Sequence, residues 1–398
     1  MLKKRILILG GSFFQIPLIK AAKELGLYVI TCDYLPDNPG HKLSDEYHNV
    51  STTDKEAVYQ LAKKINIDGI ATLSSDPAIP TVAYVSHRLG LPGPPEGAVE
   101  ILSDKGLFRR QMEKVGIKTP FSIIVDASMC LDSLYKFTTD IVVKPVDSCG
   151  SKGITFSPKN DDDLLVAINN ALSHSRSKKC ILEEYISGDQ LHGDGYLEDG
   201  KCVYYFFGDH YFYTKTNNFI PISTRWPCKF SNDILDDVIK QVELICHSVG
   251  YSNGPVNIEA RVSFDNVYLI EVAPRNGGNY VPIIQQHLTG FNVVNRIIAS
   301  AIKESVLVTS APIYKKVGAH YILHSEFDGF FDKVLFAEEI LNKIFYKNIF
   351  KKNGDPVFEY VGSNTTIGVV LLEFDSIQER DNYMGNIKNF INVIVVQK

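Results

Sequence analysis

Val256-Asn257-Ile258-Glu259-Ala260-Arg261-Val262, a short turn at Asp265-Asn266, and Leu269-Ile270-Glu271-Val272-Ala273-Pro274-Arg275 decide the reading of this chain. Aliphatic and β-branched residues dominate 256–262 and 267–272, and the polar turn between them predicts a hairpin. Alternation puts Asn257, Glu259 and Arg261 on one face. Glu271, with apolar residues on both sides, also points away from the core. Two carboxylates opposed across a hairpin repel one another unless a cation lies between them. Hard oxygen ligands suit Mg²⁺, which typically arrives with nucleotide phosphates. Pro274-Arg275-Asn276-Gly277-Gly278 then sets an arginine and a flexible loop beside the pair. A surface hairpin with unrelated charges is the competing reading of the same residues.

Upstream, Val142-Val143-Lys144-Pro145 places a lysine inside an apolar strand, which is costly unless it meets an anion. Asp147-Ser148-Cys149-Gly150-Ser151-Lys152-Gly153 follows, with no bulky side chain at 150, 151 or 153. Backbone N–H groups of such a loop suit a polyphosphate, with the loop as lid and Lys144 as point charge. It is not a Walker A loop, because GxxxxGK[ST] is absent, and a plain β-turn fits it too. Lys105, at the head of a helix running to Val115 with Ser103 as N-cap, offers a second positive charge. Ile181-Leu182-Glu183-Glu184-Tyr185-Ile186-Ser187-Gly188 reads as a strand ending in two acids and a turn, suited to a base and ribose. Taken singly, Glu183 and Glu184 read as solvated surface residues.

Ahead of these elements, short apolar strands at 5–10, 28–32 and 69–73 alternate with helices at 16–25, 57–65 and 78–89. That alternation predicts a parallel sheet covered on both faces. Gly10-Gly11-Ser12-Phe13-Phe14-Gln15 falls between a strand and a helix but lacks GxGxxG, so it reads as a tight turn ahead of a dinucleotide site. The Gly- and Pro-rich run 90–95 marks a boundary. Beyond it come β-like stretches at 121–125, 141–143, 154–156 and 181–185, a polar helix at 161–173, and a hairpin over 196–208 turning at Asp199-Gly200. From about Lys316 a mixed, β-rich tail follows.

Composition narrows the function class. The chain has 398 residues, 45% hydrophobic and 22% charged, an ordinary globular balance. Forty-one basic against 46 acidic residues give a net charge of -5, without the basic surface of a nucleic-acid or membrane-surface binder. No apolar run approaches the ~18–20 residues a membrane helix needs. The four apolar residues 6–9 behind Lys3, Lys4 and Arg5 are too few for a signal-peptide core. Seven scattered cysteines without a CxxC pair argue against a disulfide framework or zinc cluster. The expectation is a cytoplasmic protein with neither nucleic-acid nor membrane partners.

The order of these motifs resembles the ATP-grasp superfamily, of the carboxylate–amine ligase type. The N-terminal units look like those that precede the grasp fold in biotin carboxylase, the large subunit of carbamoyl phosphate synthetase and the ATP-dependent purine-pathway ligases. The resemblance implies an α/β and α+β chain. A Rossmann-like parallel sheet would occupy 1–103, an ATP-grasp domain 104–310 with a mobile lid at about 119–184, and a small mixed α/β subdomain 311–398. Lys105 and Lys144 would contact the phosphates of ATP, and Ser148, Gly150, Ser151 and Gly153 would close over them. Glu183, Glu184, Tyr185 and Ile186 would line the adenine site, with the backbone of Glu183 and Ile186 receiving the base. Gln190 stands where a ribose-binding glutamate is common. Glu259 and Glu271 match carboxylates that hold Mg²⁺ (or Mn²⁺), and Arg275, with Lys144, matches the catalytic charges that steady a phosphorylated intermediate.

The implied activity joins a small-molecule carboxylate, activated as an acylphosphate, to an amine, with a homodimer as a family-level expectation. Ala273 replaces an asparagine that many relatives use as a further metal ligand. Asn276-Gly277-Gly278-Asn279-Tyr280 departs from the His-containing loop of the purine-pathway carboxylase, and no Gln-Val-Glu-His run is present, which favours an organic carboxylate over bicarbonate. An ATP-dependent carboxylase, a non-catalytic nucleotide-binding module and a nicotinamide oxidoreductase are the alternatives. His287 reads as a packing residue, His192 has no identifiable partner, and Cys149 is a small filler or a redox site. Trp226 is either a pocket wall or an anchor; loops 217–226 and 277–280 are the places for substrate.

Overall fold

The computed structural model describes residues 3–126, 137, 139–158, 160–213, 220–304 and 314–397. It opens with β1 (Arg5–Leu9), α1 (Ile16–Glu24), β2 (Tyr28–Cys32), β3 (Glu46–His48), α2 (Lys55–Lys64), β4 (Gly69–Ala71) and α3 (Ile79–Leu89). The four strands form a parallel sheet in the order β3-β2-β1-β4. Ile6 and Ile8 enter one core with Leu18 and Ile19 of α1, while Leu7 and Leu9 enter another with Val58 of α2 and Val82 of α3. Both faces are therefore covered, as the continuous apolar strands predict. β3 was not predicted, because Glu46-Tyr47-His48 carries no apolar run.

After the Pro-rich segment 90–95 come α4 (Glu96–Ser103) and α5 (Lys105–Lys114). Ser103 ends the first of these instead of capping the second. Asp104 is the cap, extended in backbone, its side chain accepting from the Leu107 N–H at 2.9 Å.

β5 (Ser122–Asp126), β6 (Ile141–Pro145), β7 (Thr155–Phe156), α6 (Asp161–His174) and β8 (Lys179–Glu184) follow. The strands make an antiparallel sheet, β5-β8-β6-β7, on which Ala167, Ile168 and Ala171 of α6 pack. Next come β9 (Asp189–Glu198), β10 (Lys201–Phe212), β11 (Pro221–Trp226), α7 (Asn232–Ser248), β12 (Gly254–Ser263), β13 (Asn266–Ala273), α8 (Val281–Thr289), α9 (Val293–Ala301) and β14 (Val317–Leu323). The β9–β10 hairpin turns at Asp199-Gly200, both at positive φ, the geometry of a two-residue hairpin loop. The β12–β13 hairpin turns at Phe264-Asp265, one residue earlier than read, and Asn266 enters the strand. An aromatic in the left-handed region, 93% exposed, is a signal that propensity does not provide.

The chain ends with β15 (Gly329–Phe336), α10 (Glu338–Leu341), β16 (Ile344–Ile349), β17 (Pro356–Val357), β18 (Gly368–Phe374), α11 (Ile377–Gly385), α12 (Ile387–Phe390) and β19 (Ile391–Val396). The central element is an eight-stranded sheet, β13-β12-β9-β10-β11-β14-β18-β16. Residues 221–226, expected as a loop, are its strand β11, between β10 and β14. One face of its first half is apolar: Val256, Ile258, Ala260 and Leu269 bury against Leu102, Phe108, Val238 and Val242 of the helices. The opposite face carries the polar alternates Asn257, Glu259 and Arg261 and floors the site. Among the described residues no helix is long and apolar enough to cross a membrane.

Candidate active site

The β12–β13 register places Glu259 directly opposite Glu271, and β9 sets His192 opposite Glu259 on the other side. Burial, and then the charge of Glu271, push the Glu259 carboxyl up to about 7. Gln190 Nε2 donates to Glu259 Oε2 at 2.9 Å, and Lys105 Nζ lies 3.5 Å from Glu271 Oε2. Burial opposes the charge on Lys105, but Glu271 and Asp76 raise its pKa.

Glu183 is not a solvated surface residue. Its side chain is 2% exposed, receiving Arg109 Nε at 2.7 Å and Lys144 Nζ at 2.5 Å. Burial opposes its ionisation, yet Arg109 and Lys144 outweigh that and hold it at about 2. Burial lowers the pKa of Lys144, with Glu183 drawing it back up. Arg109 also donates to Leu269 O at 3.1 Å and Ile270 O at 2.9 Å, tying α5 to the strand that presents Glu271. The backbone of Glu183 lies inside its sheet, between Ser122 and Val142; Glu184 is still paired with Ile141, and the N–H groups of Glu184 and Tyr185 donate to Phe121 O and Asp140 O, so the strand end opens beyond Tyr185.

Arg275 is held by a residue the sequence did not single out. Its Nε and NH2 donate to the two oxygens of Asp76, in the loop after β4, at 2.7 and 2.9 Å. Burial opposes ionisation of Asp76, but Arg275 keeps its pKa below the usual value. Asn276 Nδ2 donates to Ser74 Oγ at 2.8 Å and Ser74 Oγ to Gly277 O at 2.6 Å, joining the N-terminal unit to the glycine loop. Burial, with the Asp76 charge adding to it, pushes the Cys149 thiol up to about 11, consistent with a filler.

Lys105 Nζ donates to Ser148 O at 3.0 Å. At Gly150, φ is +67°, and a Cβ there would sit 2.3 Å from Ser363 Oγ, so the loop rests on the C-terminal segment. Gly153 does not line the cavity: a Cβ would press Pro145 and His174 at 2.9 Å, so packing requires the glycine.

Lys105, Lys144, Ser148, Gly150, Ser151, Glu259, Glu271 and Arg275 line one cavity of about 480 Å³. Glu183, Glu184, Tyr185, Ile186 and Gln190 line an adjoining one of about 100 Å³, which shares Lys105, Lys144, Ser151, Glu259 and Glu271 with it. At the Gly10–Gln15 turn, Gly11 N–H donates to Asp33 Oδ2 at 3.2 Å and Ser12 N–H to Gln15 Oε1 at 3.1 Å. Donors that a phosphate needs are thus already engaged by the protein's own acceptors, in keeping with a tight turn.

Trp226 is fully buried and stacked on Phe206 at 5.0 Å, an anchor and not a pocket wall. His287 stacks on Phe345 at 3.8 Å and contacts Glu373, as a packing residue does. His192 gains partners in Asn257 at 3.1 Å and Thr224 at 3.4 Å. Of the expected substrate loops, residues 217–219 lie outside the described residues, while Gly278 and Asn279 line the cavity. Asp76, Arg109, His210, His320, Tyr360 and Ser363 escaped the sequence reading. Arg109 alone left a signal, four residues beyond Lys105 on the same helical stripe.

Residues 137–282 match the model of the ATP-grasp domain. Over 194 residues the chain is 30% identical to the formate-dependent phosphoribosylglycinamide formyltransferase of Prochlorococcus marinus (strain NATL2A), covering 47% of this chain and 49% of that protein. The match thus spans about half the length of that relative. The fold superposes on the crystal structure of L-amino acid ligase from Bacillus licheniformis with a TM-score of 0.84 at 22% identity, covering 99% of each chain. It superposes on phosphoribosylglycinamide synthetase from Anaerococcus prevotii with a TM-score of 0.78 at 24% identity, covering 99% of this chain and 100% of that one. The chain therefore has the α/β ATP-grasp fold, with the ATP-grasp domain itself matched at residues 137–282.

Proposed function

We propose that the protein is an ATP- and Mg²⁺-dependent ligase that joins an organic carboxylate to an amine and releases ADP and phosphate. The observation that carries the reading is convergence: Lys105, Lys144, Arg275 and the Glu259–Glu271 pair meet in one cavity from four separate elements and the loop after β13. The phosphates of ATP would lie against Lys105, Lys144 and the loop from Ser148 to Ser151. The adenosine would occupy the adjoining cavity at Glu184, Tyr185, Ile186 and Gln190. The similarity to a formyltransferase and to the fold of an L-amino acid ligase supports carbon–nitrogen ligation.

The donor set fits a divalent cation. Glu259 and Glu271 are opposed hard-oxygen ligands, and their mutual repulsion is the feature a cation would relieve. Mg²⁺ would offset phosphate charge there. The chain's own charges do the rest by position. A carboxylate oxygen attacks the γ-phosphorus, the bond to the bridging oxygen breaks, and ADP leaves. The amine nitrogen then attacks the acyl carbon, and phosphate departs with the original carboxylate oxygen. Arg275, fixed by Asp76, faces the cavity as the charge for the acylphosphate. The loop resting on Ser363 would exclude water while that intermediate exists. The six described cysteines are free thiols, which supports a reducing, cytoplasmic setting. A homodimer completes the proposal, and the mass in solution tests it.

The enzymatic test is ADP release from MgATP across a panel of amino acids and other small carboxylates, with hydroxylamine to trap acylphosphate. A hydroxamate that forms with one acid and disappears in Lys144→Ala and Glu271→Ala supports the reading. ADP release that responds to bicarbonate alone would make the enzyme a carboxylase, and ATP binding without turnover on any acid would reject catalysis.

A further inference from the structure

Beyond its charged end, the larger cavity continues along the polar face of the eight-stranded sheet, where His192 of β9, His210 of β10 and His320 of β14 line it. The register explains the row. His210 lies opposite Thr224 of β11, and Thr224 lies opposite His320. All three imidazoles are buried, and His192 and His210 stack at 4.6 Å.

Two of the three have polar neighbours. His192 meets Asn257 and Thr224, and His210 Nδ1 lies 3.4 Å from Gln190 Nε2. His320 is different. It is 1% exposed, and neither ring nitrogen has a hydrogen-bond partner among the described residues. A neutral imidazole carries one donor and one acceptor, and buried polar atoms are rarely left with neither satisfied. Its neighbours by register are Thr224 and Leu371, with Gly318 and Ile322 two positions away along its own strand, and Trp226 packs against the ring at 5.4 Å. None of these is ionisable, and the ionisable group that acts on the ring is His192, a buried imidazole of the same row, so a charged group placed here would meet no carboxylate, lysine or arginine among them. Four strand spacings at ~4.8 Å separate β14 from β12, putting this end roughly 15–20 Å from the carboxylate pair. Ile220, Pro221, Ile322 and Tyr360 complete an otherwise apolar wall.

We propose that the His192–His210–His320 row is the specificity pocket for the organic substrate, and that it selects a distal portion that is uncharged and carries a donor and an acceptor together. A hydroxyl or carboxamide on an apolar body meets that description. The inference rests on the ligase reading for what happens at the other end, but not for the binding preference itself. His320 supplies the discrimination by offering one donor and one acceptor that an apolar isostere leaves unmet.

The test uses the full chain with MgATP and matched acids long enough to span that distance: 12-hydroxydodecanoate against tridecanoate, and the monoamide of dodecanedioate against 12-methyltridecanoate, with dodecanedioate and 12-aminododecanoate as charged comparators. ADP release and ligand-induced thermal shift in MgADP are read in parallel. The polar member of at least one pair should be preferred tenfold or more. His320→Phe should shift that preference towards the apolar partner, with the loss in KM rather than kcat, and His320→Gln, which keeps a donor and an acceptor, should restore it. If His320→Phe does not fold, His210→Phe takes its place. A preference for the charged comparators, or an unchanged polar-to-apolar ratio in the folded variants, would overturn the pocket and leave the ligase standing. Selective binding that His320→Phe abolishes, without ADP release from any substrate, would sustain the pocket and overturn the ligase. Silence in both measurements would overturn both.

Discussion

Replacing Glu183 by glutamine removes the one negative charge between two buried cations while keeping the side chain's shape. Its carboxyl sits at about 2 in the fold against an ordinary 4.5, a difference of 2.5 pH units. At 1.36 kcal/mol per unit this corresponds to about 3 kcal/mol of stability. Because the folded pKa is the lower one, that stability is fully present above about pH 4.5 and is lost as pH falls through about 2. The structural route gives the same scale. Arg109 is 2% exposed, and a buried cation stripped of its partner costs about 3–5 kcal/mol. Glu183→Gln should therefore lose about 3–5 kcal/mol at pH 7, and adding Arg109→Met should recover part of it. Denaturant unfolding followed by the fluorescence of Trp226, the only tryptophan and fully buried in the large sheet, is the assay. A single variant within about 1 kcal/mol of wild type, or a double variant no more stable than the single, would show that Glu183 does not neutralise the buried pair of cations.

Three other outcomes follow from the same geometry. Glu259 has a raised folded pKa, so the fold holds its proton more tightly than the unfolded chain between about 4.5 and 7. The metal-free protein should lose stability as pH rises through that window, by up to ~1.4 kcal/mol per unit. Glu259→Gln should match wild type below about 4.5 and exceed it above 7; thermal unfolding from pH 4 to 8 that shows a constant offset would exclude this. Asp76→Ala should release the bidentate hold on Arg275 and lower kcat at least tenfold with ATP affinity within about threefold, which single-turnover kinetics and nucleotide titration separate. Nicotinamide dinucleotides should leave the thermal midpoint unchanged, because the N–H groups of Gly11 and Ser12 are already engaged by Asp33 and Gln15; a saturable shift would revive the oxidoreductase alternative.

What the sequence made legible was local. Glu259 and Glu271 could be paired from two alternating strands and one turn, and Lys144 stood out as a cation in an apolar run. What it hid was distant in the chain. Asp76 is 199 residues from the Arg275 it holds, and Arg109 is 74 residues from Glu183. No local pattern announces a partner recruited by packing, so Glu183 looked like a surface acid until its two cations were in place. β11 lies between Pro221 and Pro227, a loop signal at both ends, although its Ile, Thr and Trp favour a strand; pairing with β10 and β14 decides for the strand. His320 was invisible for a similar reason. Its strand, Val-Gly-Ala-His-Tyr-Ile-Leu, is buried on both faces and shows no alternation that would mark a polar side, and only the extension of the large sheet by β14 brings it to the cavity.

The route of oxygen distinguishes an acylphosphate from simple hydrolysis of ATP. With the accepted acid labelled with ¹⁸O in its carboxylate, acylphosphate chemistry transfers one labelled oxygen to each phosphate released. One ¹⁸O per phosphate, appearing only when acid and amine are both present, is the predicted result. Phosphate that carries oxygen from solvent water instead, at the full rate of ADP formation, would contradict the account.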